Sequence, residues 1–129
     1  MKDAQAIVAI VNNAGVFVRL LDSFLHDEGW DTLLLQAGEV SYVNIKQQQP
    51  QVILLDISSD TAQTSWQFVD LLLLDPETAS IPLIICVVAD QTLRDRKSKL
   101  QAAGYRIIEK PFPLSEVLEQ VHAAIDASG

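Results

Sequence analysis

The sequence has one cysteine, Cys86, set inside an apolar run, so an internal disulfide is impossible and a reducing cytoplasm is the expected setting. Its uninterrupted apolar stretches fall far short of the roughly 18 residues that a membrane span needs. The opening Met1-Lys2-Asp3-Ala4-Gln5 has no basic region, apolar core or small-residue cleavage site of a secretory signal. The only two histidines, His26 and His122, lie far apart without zinc-like spacing and read as surface helix residues. Positive charge is scarce as well. Nine Lys and Arg face seventeen Asp and Glu, and a net charge of −8 argues against generic nucleic-acid binding.

What is present fits one globular domain: 129 residues, 49% hydrophobic and 20% charged, are enough for a proper core. The chain is organised around Val52-Ile53-Leu54-Leu55-Asp56. This short apolar run follows Pro50 and precedes the polar Ser58-Ser59-Asp60-Thr61. It reads as a central strand buried on both faces of a parallel sheet, with Asp56 at its carboxyl end. Open α/β sheets place their ligand sites at that end.

Around this strand the pattern alternates. Ala6 to Val11 is a first strand, stopped by Asn12-Asn13-Ala14-Gly15. A helix follows with Phe17, Leu20, Leu21, Phe24 and Leu25 as its inward face, and Gly29 ends it. Thr32 to Leu35 is a second strand, and Gly38 to Gln48 a weaker helix around Val40, Val43 and Ile45. After Asp56 comes a loop of about seven residues, then a third helix from Ser65 to Leu74. Trp66, Phe68, Val69 and Leu72 form its inward face, while Leu71, Leu73 and Leu74 make the rest apolar too. Such a helix is covered on both sides or offers a patch to another molecule. Pro82 to Val88 is a fourth strand, Thr92 to Ala103 a capped helix stopped by Gly104, Arg106 to Glu109 a fifth strand, and Leu114 to Ile125 a last amphipathic helix. Five strands alternating with five helices predict a doubly wound parallel sheet.

In the order and spacing of Leu54-Leu55-Asp56, Asp75-Pro76, Ile81-Pro82, Gly104 and Lys110-Pro111-Phe112, the chain resembles the receiver domain of bacterial response regulators over essentially its whole length. The resemblance implies a flavodoxin-like (βα)5 sandwich with strand order 2-1-3-4-5, and a cis Lys110–Pro111 bond that turns the lysine toward the site. In that family the aspartate after strand three accepts a phosphoryl group from a histidine kinase. Two acids after strand one, that aspartate and a backbone carbonyl hold Mg²⁺. By position the resemblance makes Asp56 the acceptor, Ser58 the carbonyl and Lys110 the lysine that pairs with the phosphoryl group. The acidic pair falls on Asn12 and Asn13. The hydroxyl position at the end of strand four falls on Val87, and the aromatic switch position on Ile107.

These departures weaken metal-dependent phosphorylation. Mg²⁺ is a hard, strongly hydrated ion that is held by charged oxygens. Each carboxylate about 4 Å away contributes roughly 8 kcal/mol of attraction at an effective dielectric near 20, which an amide does not replace. Val87 puts methyls where a phosphoryl oxygen wants a donor. The expectation is a degenerate receiver in which Asp56 and Lys110 are a retained ion pair. It would not be an enzyme, would need no cofactor, and would signal within a two-component system or phosphorelay by protein contacts.

Two surfaces are nominated for those contacts. Arg94, Arg96, Lys97, Lys99, Arg106 and Lys110 face only Asp95 and Glu109 in positions 94–110, a local charge of +4 in a chain whose remainder carries −12. The other is the Leu71, Leu73, Leu74 side of the third helix. A protein partner or a homodimer is expected there, through the 92–112 face or the third helix. Two other readings stay open. One is a conventional receiver, phosphorylated on Asp56 with Mg²⁺ by a histidine kinase. The other is a flavodoxin-like binder of a small ligand, although Asn12-Asn13-Ala14-Gly15 is a weak match to a phosphate loop.

Overall fold

The computed structural model describes residues 7–12 and 15–128, without the side chains of 15–17, 127 and 128. Strands β1 (Ile7–Val11), β2 (Asp31–Leu35), β3 (Val52–Asp56), β4 (Leu83–Val88) and β5 (Arg106–Lys110) form one parallel sheet in the order β2-β1-β3-β4-β5. The helices among the described residues are α1 (Gly15–Asp27), α2 (Glu39–Gln48), α3 (Ala62–Leu74), α4 (Pro76–Ala79), α5 (Gln91–Ala102) and α6 (Leu114–Ser128). The flavodoxin-like order expected from the sequence is borne out.

Alternation along the strands divides the core between the two faces. Val8 and Ile10 of β1, Val52 and Leu54 of β3, Ile84 and Cys86 of β4 and Ile108 of β5 face one way. They pack with Val18, Leu21 and Leu25 of α1 and with Val117, Val121 and Ala124 of α6. Ala9, Val11, Ile53, Leu55, Ile85 and Val87 face the other way, against Ile45 of α2, Phe68, Val69 and Leu72 of α3, and Leu93 and Leu100 of α5. β3 pairs with β1 and β4 and is covered on both faces, so an unbroken apolar run is what its position requires.

Several local expectations are corrected. In α1, Leu21 and Leu25 point inward with Val18, but Leu20 and Phe24 are about half exposed; the Phe17 side chain lies outside the description. The Thr32 hydroxyl of β2 donates to the Asp22 carboxylate, which holds that flank of α1 against the sheet and turns Leu20 and Phe24 away. In α2, Ile45 is buried, whereas Val40 and Val43 are exposed. Polar anchors set its rotation: the Ser41 hydroxyl donates to the Gln36 carbonyl, and the Tyr42 hydroxyl donates to Asp75. The cap of α5 is Asp90, whose Oδ1 accepts from the Leu93 N–H at 2.9 Å, and Thr92 sits inside the first turn. α3 begins at Ala62, so the loop after β3 is shorter than expected. A short α4 follows because Asp75 caps it with Pro76 in the first turn. Gly104 does end α5, at φ +83°.

The α2–α4 junction is electrostatic. Lys46 Nζ lies 3.0 Å from Asp75 Oδ2, Tyr42 donates to the same carboxylate, and the Glu77 N–H donates to Asp75 Oδ1 at 2.9 Å. The Tyr42 hydroxyl, then the Glu77 N–H and the Lys46 ammonium, hold the Asp75 carboxyl down at about 2. A carboxyl depressed in the folded chain adds stability above its ordinary value near 4, and that stability is lost as pH falls toward 2. The melting temperature of the native chain should therefore exceed that of Asp75→Asn near neutrality, and the gap should close between about pH 4 and pH 2. A gap that is constant with pH would show that the charge of Asp75 contributes nothing. Cys86 is 1% exposed, and burial, with the Asp56 charge adding, pushes its thiol up to about 12. It should resist a thiol reagent at pH 8 in the native state and react after denaturation.

Candidate functional site

Parallel strands deliver their last residues to one end of the sheet, and β3 brings Asp56 there beside Cys86 of β4. Lys110 is the last residue of β5, and the peptide bond to Pro111 is cis, as expected. Its Nζ sits 2.8 Å from Asp56 Oδ1 and donates to the Ile57 carbonyl at 3.1 Å. The Lys110 and Asp56 side chains are 25% and 19% exposed, so this ion pair is only partly shielded from water. Asp56 Oδ2 has no partner among the described residues.

Asn12 directly follows β1 with φ +71°, a left-handed backbone that asparagine tolerates better than most residues. Its N–H donates to the Leu35 carbonyl at 2.9 Å. The side chain is a three-way bracket. Nδ2 donates to the Asp56 backbone carbonyl at 3.2 Å and to Ser65 Oγ at 2.9 Å, while Oδ1 accepts from the Ala37 N–H at 2.9 Å. One amide thereby joins the ends of β1 and β3 to the loop after β2 and to α3. Ser65 is fully buried.

The carbonyls beyond Asp56 also have donors. The Ser58 carbonyl accepts from the Thr61 N–H at 3.1 Å and from the Thr61 hydroxyl at 3.3 Å. The Ser58 hydroxyl donates to Asp60 at 2.6 Å, which holds the Asp60 carboxyl below the ordinary range. Asp56, Ile57 and Ser58 thus each have a backbone oxygen bonded by protein. Among the described residues, no group of three or more His, Cys, Asp or Glu could hold a metal ion. Among the described residues the donor set fits a divalent cation poorly: position 12 offers a neutral amide already bonded on three sides, and the Ser58 carbonyl already accepts from the Thr61 N–H. Asn13 lies outside the described residues.

Among the described residues the other nominated positions make no side-chain hydrogen bond to the pair, although Val87 follows Cys86, the register partner of Asp56. Val87 is 3% exposed and belongs to the core on the α3 and α5 side, with Ile57, Trp66 and Leu93 around it; Ile107 packs against the same cluster. The basic segment is less free than its charge implied. Arg96 pairs with Asp70 at 2.9 Å, Lys97 with Glu109 at 3.3 Å and Lys110 with Asp56. Arg94 reaches Gln91, and Arg106 donates to Gln120 at 3.0 Å. Lys99 has no partner among the described residues. Of the third-helix leucines, Leu74 is 80% exposed and Leu71 38%, while Leu73 is partly buried. Both histidines are on exposed helix surface beside acids, His26 at Asp22 and His122 at Glu28. Sequence reasoning missed the Asn12 bracket and the Ser65 anchor. The available signal was an asparagine directly after a buried strand, where a left-handed residue ends the ladder.

Comparison with known proteins agrees with this architecture. No protein-family model matches the chain. The probable transcriptional regulatory protein TcrX of Mycobacterium tuberculosis is 26% identical over 129 residues, and the match spans 98% of this chain and 53% of that protein. The chain thus spans about half the length of that curated relative. Among solved structures, the apo receiver domain of nitrogen regulatory protein C superposes with a TM-score of 0.74 at 19% identity, covering 95% of each chain. The signal receiver domain of a histidine kinase from Syntrophus aciditrophicus gives 0.75 at 19% identity, covering 95% of this chain and 91% of its own. Chemotaxis protein CheY4 of Vibrio cholerae gives 0.73 at 18%, covering 94% and 99%. The fold of this chain is the fold of response-regulator receiver domains.

Proposed function

We propose that this chain is a receiver-like signalling module of a two-component system or phosphorelay that acts by protein contacts, without Mg²⁺-dependent phosphorylation of Asp56. One observation carries the reading. At the carboxyl ends of β1 and β3, protein donors already occupy the backbone oxygens, and the residue at position 12 is an amide. Phosphoryl transfer at a carboxylate depends on a cation to neutralise developing charge, and this set of donors leaves that work to Lys110 alone. Lys110 in turn is committed to Asp56. In this reading the chain is not an enzyme, holds no cofactor and works in the cytoplasm. Its partner docks on the 92–112 face or on α3.

The conventional reading keeps one argument: Asp56 Oδ2 has no partner among the described residues that would keep it from a phosphodonor, and Lys110 is in place to pair with the product. Intact-mass measurement after incubation with a small phosphodonor and Mg²⁺ separates the two. The proposal expects an unchanged mass. One phosphoryl group per chain, absent from Asp56→Asn, would contradict it.

Two substitutions probe the same reading through stability. Asp56→Asn removes the partner of a half-shielded ammonium, between an exposed pair worth under about 1 kcal/mol and a buried pair that costs about 3–5 to break. A loss of about 1–2 kcal/mol in denaturant unfolding is expected, with Lys110→Ala in the same background adding little. Asn12→Asp replaces the donor that satisfies the Asp56 carbonyl with an acceptor. It should cost about 1–3 kcal/mol and confer no Mg²⁺ binding. An Asn12→Asp variant as stable as the parent would show that the bracket is dispensable.

A further inference from the structure

α3 and α5 lie side by side over one face of the sheet. Arg96 clamps them: its guanidinium stacks on the Trp66 ring at 4.8 Å and bonds Asp70 at 2.9 Å. Beyond the clamp the helices leave an open groove of about 480 Å³, lined by Asp70, Leu73, Leu74, Asp95, Arg96 and Lys99. Leu74 stands 80% exposed at its edge. Only α3 and α5 line it among the described residues, and Leu73 and Leu74 supply its apolar wall.

The rim is what identifies an occupant. Asp95 and Lys99 are one turn apart on α5, both exposed, and they form no ion pair with each other. Asp95 accepts only from the Gln91 side-chain amide, at 2.7 Å, and Lys99 has no partner among the described residues. A partner of one charge sign would satisfy one of these groups and repel the other. A second α5 crossing antiparallel about a two-fold axis between positions 95 and 99 satisfies both, because Asp95 of each copy then meets Lys99 of the other. When that axis lies across both helices, Leu73 and Leu74, which line the same groove, face the other copy. Self-complementarity of this kind is what an isologous interface requires.

We infer that the α3–α5 groove is a self-association surface that takes a second copy of this chain, with reciprocal Asp95–Lys99 pairs flanking a Leu73–Leu74 contact. The inference goes beyond the nomination of α3 and the basic segment as contact surfaces, and it does not depend on whether Asp56 accepts a phosphoryl group.

Sedimentation equilibrium on the full chain tests it. The native chain should reach a monomer–dimer equilibrium at micromolar concentration. Asp95→Lys alone and Lys99→Asp alone each set like charges against each other twice across the axis, and each should weaken the dimer by about tenfold or more. Mixed together, the two variants should form a heterodimer, because a copy with two lysines then faces a copy with two aspartates. Circular dichroism on each variant verifies that these exposed substitutions leave the fold intact. A native chain that stays monomeric leaves the groove to a foreign partner and overturns the inference. A dimer indifferent to either reversal places the contact elsewhere and overturns it as well, as does a mixture that remains monomeric.

Discussion

The arrangement at the sheet's carboxyl end depends on one side chain with both a donor and an acceptor, placed where four segments meet. Asn12 gives its NH₂ to the Asp56 carbonyl and the Ser65 hydroxyl, and takes the Ala37 N–H on its oxygen. An aspartate at this position could accept but could not donate. The amide therefore orders the ends of β1 and β3, the loop after β2 and the start of α3 together. The Lys110–Asp56 pair completes the closure from the β5 side, with its ammonium shared between the carboxylate and the Ile57 carbonyl. Breaking either link leaves a bonded carbonyl or a partly shielded charge without its partner.

Much of the fold was legible in the sequence because burial dictates composition most strictly at the centre of a parallel sheet. Val52 to Leu55 read as a strand covered on both faces, and the resemblance carried by Lys110-Pro111-Phe112 implied the turn that aims the lysine. Helix rotation was less legible. Leu20 and Phe24 match an inward stripe as well as Val18 does, and the choice between the two faces rests on partners distant in sequence, the core around Val18, Leu21 and Leu25 and the Thr32–Asp22 bond. Val40 and Val43 point outward in the same way, while the Ser41 hydroxyl bonds the Gln36 carbonyl and Ile45 is buried, an arrangement that depends on contacts with other segments. The candidate site was legible in its positions and not in its bonds. Asn12 could be read as an acid's replacement, but its role as a bracket needs Ala37 and Ser65, which lie 25 and 53 residues away.

The same limit applies to the surface. Six basic residues in one segment suggest a charged face, yet Asp70 and Glu109 take Arg96 and Lys97 locally, and Asp56 takes Lys110. Among the described residues Arg94 and Arg106 reach only glutamines, and at the α3–α5 groove itself the rim is mixed, Asp95 with Lys99, beside exposed Leu74. That combination favours a like surface over an oppositely charged one. Site and surface thus point the same way. Polar groups at the strand ends are spent on holding loops, and the unspent groups lie on the helices.

The central claim is that Asn12, Lys110 and Thr61 have closed the strand ends to a divalent cation. The most direct measurement is a Mg²⁺ titration followed by the backbone amide resonances of Asp56, Ile57 and Ser58. The account predicts no saturable shift at these three amides into the millimolar range. Saturable shifts confined to them, abolished by Asp56→Asn, would contradict it.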